Sequence, residues 1–317
     1  MHKLIVIVPC LNEELTLSLV LNSIPKAIEG ISRIETVIID DGSMDKTVEV
    51  ARACGATRII SHTKTRGLAK SFTDGIEAAL SMGADIIVNT DGDNQYPQGD
   101  IPRLIQPIIE GLADIVIADR QTRQIAHFSP LKKWLQWLGS EVVCRLAGVC
   151  VPDAVSGFRA YSRAAAMELN VVTEFSYCTE TIIQAGKIGL KVSAIPVVTN
   201  PKTRESRLFK NMFQHIKMSG STIVRVFAMF EPLKTFFNLG ALFIAVGTIF
   251  LGRFLYFMLL GNGSGHIQSI LFGAVMFLAG FQVWVLGLVS DLIAGNRKLI
   301  EQVLLNQKKA KYDHEDK

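Results

Sequence analysis

Through the first two thirds of the chain, short apolar runs alternate with longer stretches whose apolar residues recur every three or four positions. Residues 4–8, 36–39, 58–61, 85–89 and 114–118 are rich in β-branched side chains and bounded by polar turns. They predict buried strands. Between them, 14–27, 46–53, 68–82 and 101–110 carry the helical period. Strand and helix in alternation predict a mostly parallel sheet covered on both faces, a doubly wound, Rossmann-like α/β domain. After Arg120 the pattern loosens into a helix over 132–146, a short strand over 157–161, a short helix over 164–169 and a last strand over 190–197. Residues 201–207 are polar and rich in breakers, and they predict a loop.

The pattern then changes character. Residues 208–235 mix apolar and basic positions, with Phe209, Phe213 and Ile216 on one helical face and Lys210 and Lys217 at its edge. That pattern predicts amphipathic helices lying on a membrane surface. Residues 236–259 and 267–293 are almost wholly apolar. Each is long enough to cross roughly 30 Å of hydrocarbon. The organisation read from the chain is therefore an α/β domain over 1–207, juxtamembrane helices over 208–235, a transmembrane hairpin over 236–293 and a basic tail over 294–317.

Charge sharpens this reading. The net charge is +4, and Lys and Arg crowd both sides of the apolar region while the linker 260–266 has none. The positive-inside rule places both flanks and the N-terminal domain in the cytosol. The expected location is the inner (plasma) membrane of the cell envelope, with the chain crossing it more than once. Basic runs beside apolar spans suit an anionic lipid bilayer and argue against nucleic acid as a partner. Arg253, late in the first span, either snorkels to the far interface or faces a partner within the membrane. The five cysteines are odd in number and lack metal or redox spacing, and the six histidines form no zinc pattern. The run 4–8 is too short for a signal peptide.

In parallel α/β sheets, ligands bind beyond the carboxyl ends of the strands. The first strand ends in Pro9-Cys10-Leu11-Asn12-Glu13 and the second in Asp40-Asp41-Gly42-Ser43, with Asp45 and Thr47 just after. Carboxylates at neighbouring strand tips accept bonds from base N–H groups and ribose hydroxyls, although Asp-Gly-Ser is also an ordinary turn. The fourth strand ends in Asp91-Gly92-Asp93-Asn94-Gln95-Tyr96-Pro97. Two carboxylates one residue apart can hold a hard cation, Mg²⁺ or Mn²⁺, with Gln95 as a neutral oxygen ligand and Gly92 admitting a diphosphate to the backbone. A further cluster, Asp153 to Arg159, brings a carboxylate close in sequence to a guanidinium. Arg159 can bind phosphate, and Asp153 either pairs with it or acts on an acceptor. Glu180 is a further carboxylate on a helix, with no role assigned.

Taken in order, Pro-x-x-Asn-Glu, Asp-Asp-Gly-Ser-x-Asp-x-Thr, Asp-x-Asp-x-Gln-x-Pro and Ser-Gly-Phe-Arg resemble glycosyltransferase family 2. Within it they resemble the dolichyl-phosphate mannose synthase and polyprenyl-phosphate glycosyltransferase branch, over residues from about 4 to 207. The resemblance implies a GT-A fold and inverting transfer from a UDP- or GDP-sugar to a polyprenyl phosphate. It also implies that Pro9, Asn12, Glu13 and Asp41 line the nucleotide site, and that Asp91, Asp93 and Gln95 hold metal and diphosphate. Arg120 and Arg159 would contact phosphates, with Asp153 near the acceptor, and Arg204 and Ser206 would ride a loop over the site. Cys10, Asp119, Lys132 and Lys133 depart from the usual residues. A processive polysaccharide synthase would carry Gln-x-x-Arg-Trp and more spans, which are lacking here. A non-catalytic nucleotide-sugar-binding scaffold would not need the full carboxylate set. The sequence leaves open a homo-oligomer, the sugar and the lipid length.

Overall fold

The computed structural model describes residues 1–121, 130–172, 177–201, 232–261 and 266–313. Two compact units emerge, one of residues 1–223 with 304–317, the other of 224–303.

The first unit is built on a seven-stranded sheet. Its strands are β1 (His2–Cys10), β2 (Ile31–Asp40), β3 (Arg58–Ser61), β4 (Ile86–Asn89), β5 (Ile115–Asp119), β6 (Arg159–Ser162) and β7 (Val192–Pro196), in the order β3-β2-β1-β4-β6-β5-β7. All neighbours pair in parallel except β6, which runs antiparallel to both β4 and β5. The first unit's helices are α1 (Leu17–Ser23), α2 (Thr47–Ala53), α3 (Leu68–Ser81), α4 (Ile101–Ile109), α5 (Pro130–Ala147), α6 (Arg163–Glu168) and α7 (Tyr177–Ile188).

Strand β1 is apolar on both faces because it lies between two parallel neighbours under two helical layers. Leu4, Val6 and Val8 pack with Leu104 and Ile105 of α4 and Leu17 of α1, all fully buried. On the other face, Ile7 and Ile39 reach α3 at Gly75, where a side chain would meet them at 3.2 and 2.9 Å. Each such large apolar side chain contributes roughly 1.5–3 kcal/mol when fully withdrawn from water. Helix α1 begins at Leu17 rather than at 14, because the carbonyl of Glu13 takes the amides of both Thr16 and Leu17 and residues 11–16 form a turn. The doubly wound layer predicted from the sequence is thus present, and its C-terminal strand edges form one rim.

The second unit holds most of two long helices, α8 (Pro232–Leu259) and α9 (Ile267–Asp313), both long and apolar enough to cross a bilayer. Their backbones approach closely at glycines seven residues apart. A methyl on Gly280 would fall 2.7 Å from the carbonyl oxygen of Gly240, and one on Gly247 would fall 2.8 Å from that of Gly273. Gly287 would similarly strike Phe236, at 2.9 Å. Trp284 stacks on Phe237 and donates its indole N–H to the Phe237 carbonyl at 3.0 Å. The Arg253 guanidinium stands over the Phe257 ring, which stacks on His266.

Helix α9 does not stop near 293 but runs to Asp313, and its end, from Leu304, belongs to the first unit. There Lys308 donates to the carbonyls of Met167 and Leu169 and to Asn170 Oδ1, at 2.8–3.2 Å, closing the exposed end of α6. Arg163 donates to the carbonyl of Tyr312, whose side chain is buried. Of the residues expected to form a basic tail, those up to Asp313 are thus helical, and the last of them hold α6. The amphipathic segment 208–231 lies outside the described residues.

Candidate active site

The rim beyond β1, β2, β4 and β5 collects the polar motifs. Among the described residues, three that are not glycine adopt left-handed backbone, Asn12, Asn94 and Gln121, each after one of these strands. Such conformations cost about 1–3 kcal/mol each and cluster at functional sites; asparagine tolerates them best.

The tips of β1 and β2 are stitched together. Ser43 Oγ accepts the amide of Asn12, and Asn12 Oδ1 accepts the amide of Met44, both at 2.8 Å. Thr47 Oγ1 accepts the amide of Glu13 at 2.8 Å. The Glu13 carboxylate is buried, with the Thr16 hydroxyl 2.9 Å away. That hydroxyl also lies 2.8 Å from the Gly92 carbonyl, so the β1 and β4 tips are joined as well. Gly92 is forced by closeness: a methyl there would fall 2.8 Å from Cys10 Sγ and 3.3 Å from Glu13 Cγ. Cys10 is thus the wall against which the turn at Gly92 packs. Burial pushes its thiol well above the ordinary range, and the charge of Glu13 adds to this.

At the β4 tip, Asp93 accepts the backbone amide of Gln95 at 3.1 Å and its side-chain amide at 2.8 Å. Asn200 holds the turn from behind, donating to the carbonyls of Gln95 and Asn94. Asp91 lies against Gly157, where a methyl would come within 3.1 and 3.2 Å of its two oxygens and 3.2 Å of Tyr177 Oη. The Gly157 amide donates to Tyr96 Oη at 2.9 Å, and its carbonyl accepts from Asn89 Nδ2 at 2.7 Å. The Ser-Gly-Phe-Arg motif therefore presents backbone, through Gly157, to the Asp-x-Asp motif. Among the described residues no group of three or more His, Cys, Asp or Glu side chains is placed to hold an ion. Two carboxylates with an amide oxygen nonetheless suit Mg²⁺ or Mn²⁺, which take few protein ligands and fill the rest with water and phosphate.

The two guanidinium groups separate. Arg120, just past β5, pairs bidentately with Asp153, Nε to Oδ2 at 2.7 Å and Nη2 to Oδ1 at 3.0 Å. Asp153 is 2% exposed and Arg120 19%. Burial disfavours the Asp153 charge, but the guanidinium outweighs it and holds the carboxyl below the usual range. Arg159 is fully buried, and its bonds go to neutral acceptors: the carbonyls of Ser156, Ala154 and Cys178 and the hydroxyl of Thr181. It thus neither pairs with Asp153, as sequence proximity suggested, nor presents its guanidinium at the surface as a phosphate ligand would require. It fastens the 154–156 loop to α7 instead.

Glu180 is also fully buried, accepting the amide of Val172 at 3.0 Å and Gln184 Nε2 at 3.2 Å. Asp41 is anchored by the 62–67 loop, which the sequence reading passed over. Pro9 lies inside β1, next to the rim. Arg204 and Ser206 lie outside the described residues, as do the side chains of Lys132 and Lys133.

Comparison with known proteins gives this mixed sheet, with its carboxylate pair beyond β4, a family. The model of the family Glycosyl transferase family 2 matches residues 5–169, more than half of the chain, which therefore belongs to that family. Among its relatives is the UDP-N-acetylglucosamine–dolichyl-phosphate N-acetylglucosaminyltransferase of Methanococcus voltae, 30% identical over 61% of this chain and 84% of that protein. Another is the dolichyl-phosphate hexose transferase of Haloferax volcanii, 29% identical over 70% of this chain and 93% of that one. Among solved structures, glucosyl-3-phosphoglycerate synthase of Mycobacterium tuberculosis, bound to Mn²⁺, UDP and phosphoglyceric acid, superposes with a TM-score of 0.55 at 21% identity, over 72% and 78% of the two chains. At that identity the likeness establishes the GT-A fold alone.

Proposed function

We propose that this glycosyltransferase is membrane-bound and moves a sugar, with inversion, from a UDP- or GDP-sugar to a polyprenyl phosphate at the cytosolic face of the plasma membrane. The observation that carries the reading is the joined rim of β1, β2 and β4, with the Asp91–Asp93 pair at its centre, in a chain that also holds two bilayer-length apolar helices. The relatives' dolichyl-phosphate acceptors support the lipid.

In this reading Asp91, Asp93 and Gln95 would hold a divalent cation, which supplies charge neutralisation for the leaving diphosphate. Asn12, Glu13 and Asp41 hold the nucleoside end. Gly92 and Gly157 let the segments around the two carboxylates pack closely, which fixes the rim against which the diphosphate would lie. A phosphate oxygen of the lipid attacks the anomeric carbon as its bond to the diphosphate breaks, and the nucleoside diphosphate departs. A phosphate monoester is already largely ionised near neutral pH, so no strong base is required. The Arg120–Asp153 pair borders this centre, with Arg120 still partly exposed and able to meet an incoming anion. Arg159 acts through the loop it fastens. Arg204 and Ser206 are the further residues that the family resemblance assigns to the site.

The test is incubation of the purified full chain in lipid nanodiscs with a panel of nucleotide sugars, Mg²⁺ or Mn²⁺, and undecaprenyl phosphate. A glycosylated lipid phosphate identified by mass supports the reading. Release of free sugar alone, with no lipid product from any donor, overturns it.

A further inference from the structure

Behind Asp41, at the β2 tip, lie side chains to which the transfer reaction above gives no role. His62, 5% exposed, directs Nδ1 at Asp41 Oδ1 at 2.7 Å and Nε2 at Asp74 Oδ2 at 2.9 Å. Asp74, on α3, is in turn paired with Lys70 one turn earlier. The ring thus bridges the two carboxylates, one on each nitrogen. The Asp41 carboxylate meanwhile accepts the backbone amide of Arg66 on Oδ1 at 2.8 Å and that of Gly67 on Oδ2 at 2.9 Å. A carboxylate has about four acceptor positions. Three are taken by its own fold, and one, on Oδ2, is left.

The loop this organises is pressed against the strand tip. A methyl on Gly42 would fall 3.0 Å from the backbone of Lys64 and Thr65. Gly67 itself, at φ 94°, opens α3, so the same carboxylate that ends β2 also sets where that helix starts. Turning or withdrawing Asp41 would therefore shift the Arg66–Gly67 backbone and the remaining acceptor together.

Resting on the function proposed above, we propose that His62, backed by Asp74, is a positioning residue for donor recognition. It fixes the Asp41 carboxylate so that its one remaining acceptor meets an imide or amide N–H of the donor's nucleobase. Without the bridge, Asp41 keeps the two loop amides but loses its side-chain partner on Oδ1. The loss falls on the nucleoside end of the donor, far in chemistry from the transferred sugar and the lipid phosphate.

The test uses the full chain in nanodiscs with five proteins: wild type, Asp74→Asn, His62→Gln, Asp41→Asn and the double variant Asp41→Asn/His62→Gln. Binding of UDP and GDP is measured by calorimetry, and kinetics with the active donor and undecaprenyl phosphate. Asp74→Asn and His62→Gln are expected to raise the donor KM and weaken nucleotide binding about tenfold. The kcat and the lipid-phosphate KM should stay within twofold. In the Asp41→Asn background His62→Gln should add nothing, because its effect runs through that carboxylate. Asp74 touches neither the loop amides nor the rim, so its variant keeps the test valid if His62→Gln folds poorly. Unchanged nucleotide affinity in Asp74→Asn and His62→Gln, or equal losses in donor and lipid constants, overturns the proposal. If wild type binds nucleotide but makes no lipid product, the functional reading fails while the binding comparison still decides the role of His62.

Discussion

Replacing Asp153 with Asn tests whether the Arg120–Asp153 pair is architecture or chemistry. The substitution keeps shape but removes the charge facing a guanidinium that is four-fifths buried. The Asn carbonyl can accept one of the two guanidinium bonds, while its amide confronts the other donor. Removing one partner of a buried pair costs about 3–5 kcal/mol, because the remaining charge is stranded. Arg120 retains some exposure, so we place the cost near the lower end, about 3 kcal/mol. For a unit of this size each kcal/mol lowers Tm by roughly 2–4 °C, which gives a fall of about 6–12 °C. The double variant Arg120→Met/Asp153→Asn should recover part of that loss, since no unpaired charge remains. The pH dependence follows from the sign of the shift. The Asp153 carboxyl is held below its ordinary range, so its stabilisation is fully present above the unfolded carboxyl's pKa of about 4 and is lost as pH falls through the lower folded value. The Tm gap between wild type and Asp153→Asn should thus stay constant from neutral pH to about 5 and narrow only in stronger acid. The assay is thermal unfolding of the full chain in nanodiscs, followed with transfer activity at each pH. A Tm equal to wild type together with lost transfer would refute this reasoning and make Asp153 a group that acts on the acceptor.

Asp91→Asn and Asp93→Asn should each abolish detectable transfer with Tm held within a few degrees, and excess chelator should silence the wild type; full activity in chelator would refute the cation site. Arg159→Ala should lower Tm by more than Asp153→Asn does, since it vacates a buried side chain and orphans four acceptors, at about 1 kcal/mol or more apiece; a raised lipid-phosphate KM with an unchanged Tm would restore a phosphate contact. Cysteine-accessibility labelling in intact cells should reach a probe at Asn262 from outside and one at Lys309 only from the cytosol, and the opposite pattern would overturn the hairpin.

The parts of the fold legible from the sequence are those with a clean period. Strands β1 to β5 announce themselves through β-branched runs, and α3 through its apolar stripe. Helix α7 is legible only in that Glu180 reads as helical; its bounds are not, because every residue from Tyr177 to Ala185 is buried and no polar face marks the period. The antiparallel course of β6 is likewise invisible, since Arg159–Ser162 is short and begins with a charged residue that pairing buries. At the site, Asp91 and Asp93 were readable because both lie in one turn at a strand tip. Arg159 was not, because its partners Cys178 and Thr181 lie about twenty residues on, in a helix the pattern conceals. The same distance problem hides the bond from Asp153 back to Arg120, 33 positions away. His62 gave no signal at all, since a single histidine after a strand says nothing of the two carboxylates folding brings to it.

The glycines of the two long helices set a rule for how this chain can vary. Gly240 and Gly247 on α8, and Gly273, Gly280 and Gly287 on α9, form a seam with a period of seven. One residue inserted between Gly240 and Gly247 would swing everything beyond it by about 100° around the helix axis. A bulky side chain would then be driven into a backbone that now has room for a hydrogen atom only. Insertions in the turn between the helices disturb no such register. Descendants of this gene are therefore free to lengthen that turn one codon at a time, whereas the helices themselves can grow or shrink between seam positions only in steps of about seven.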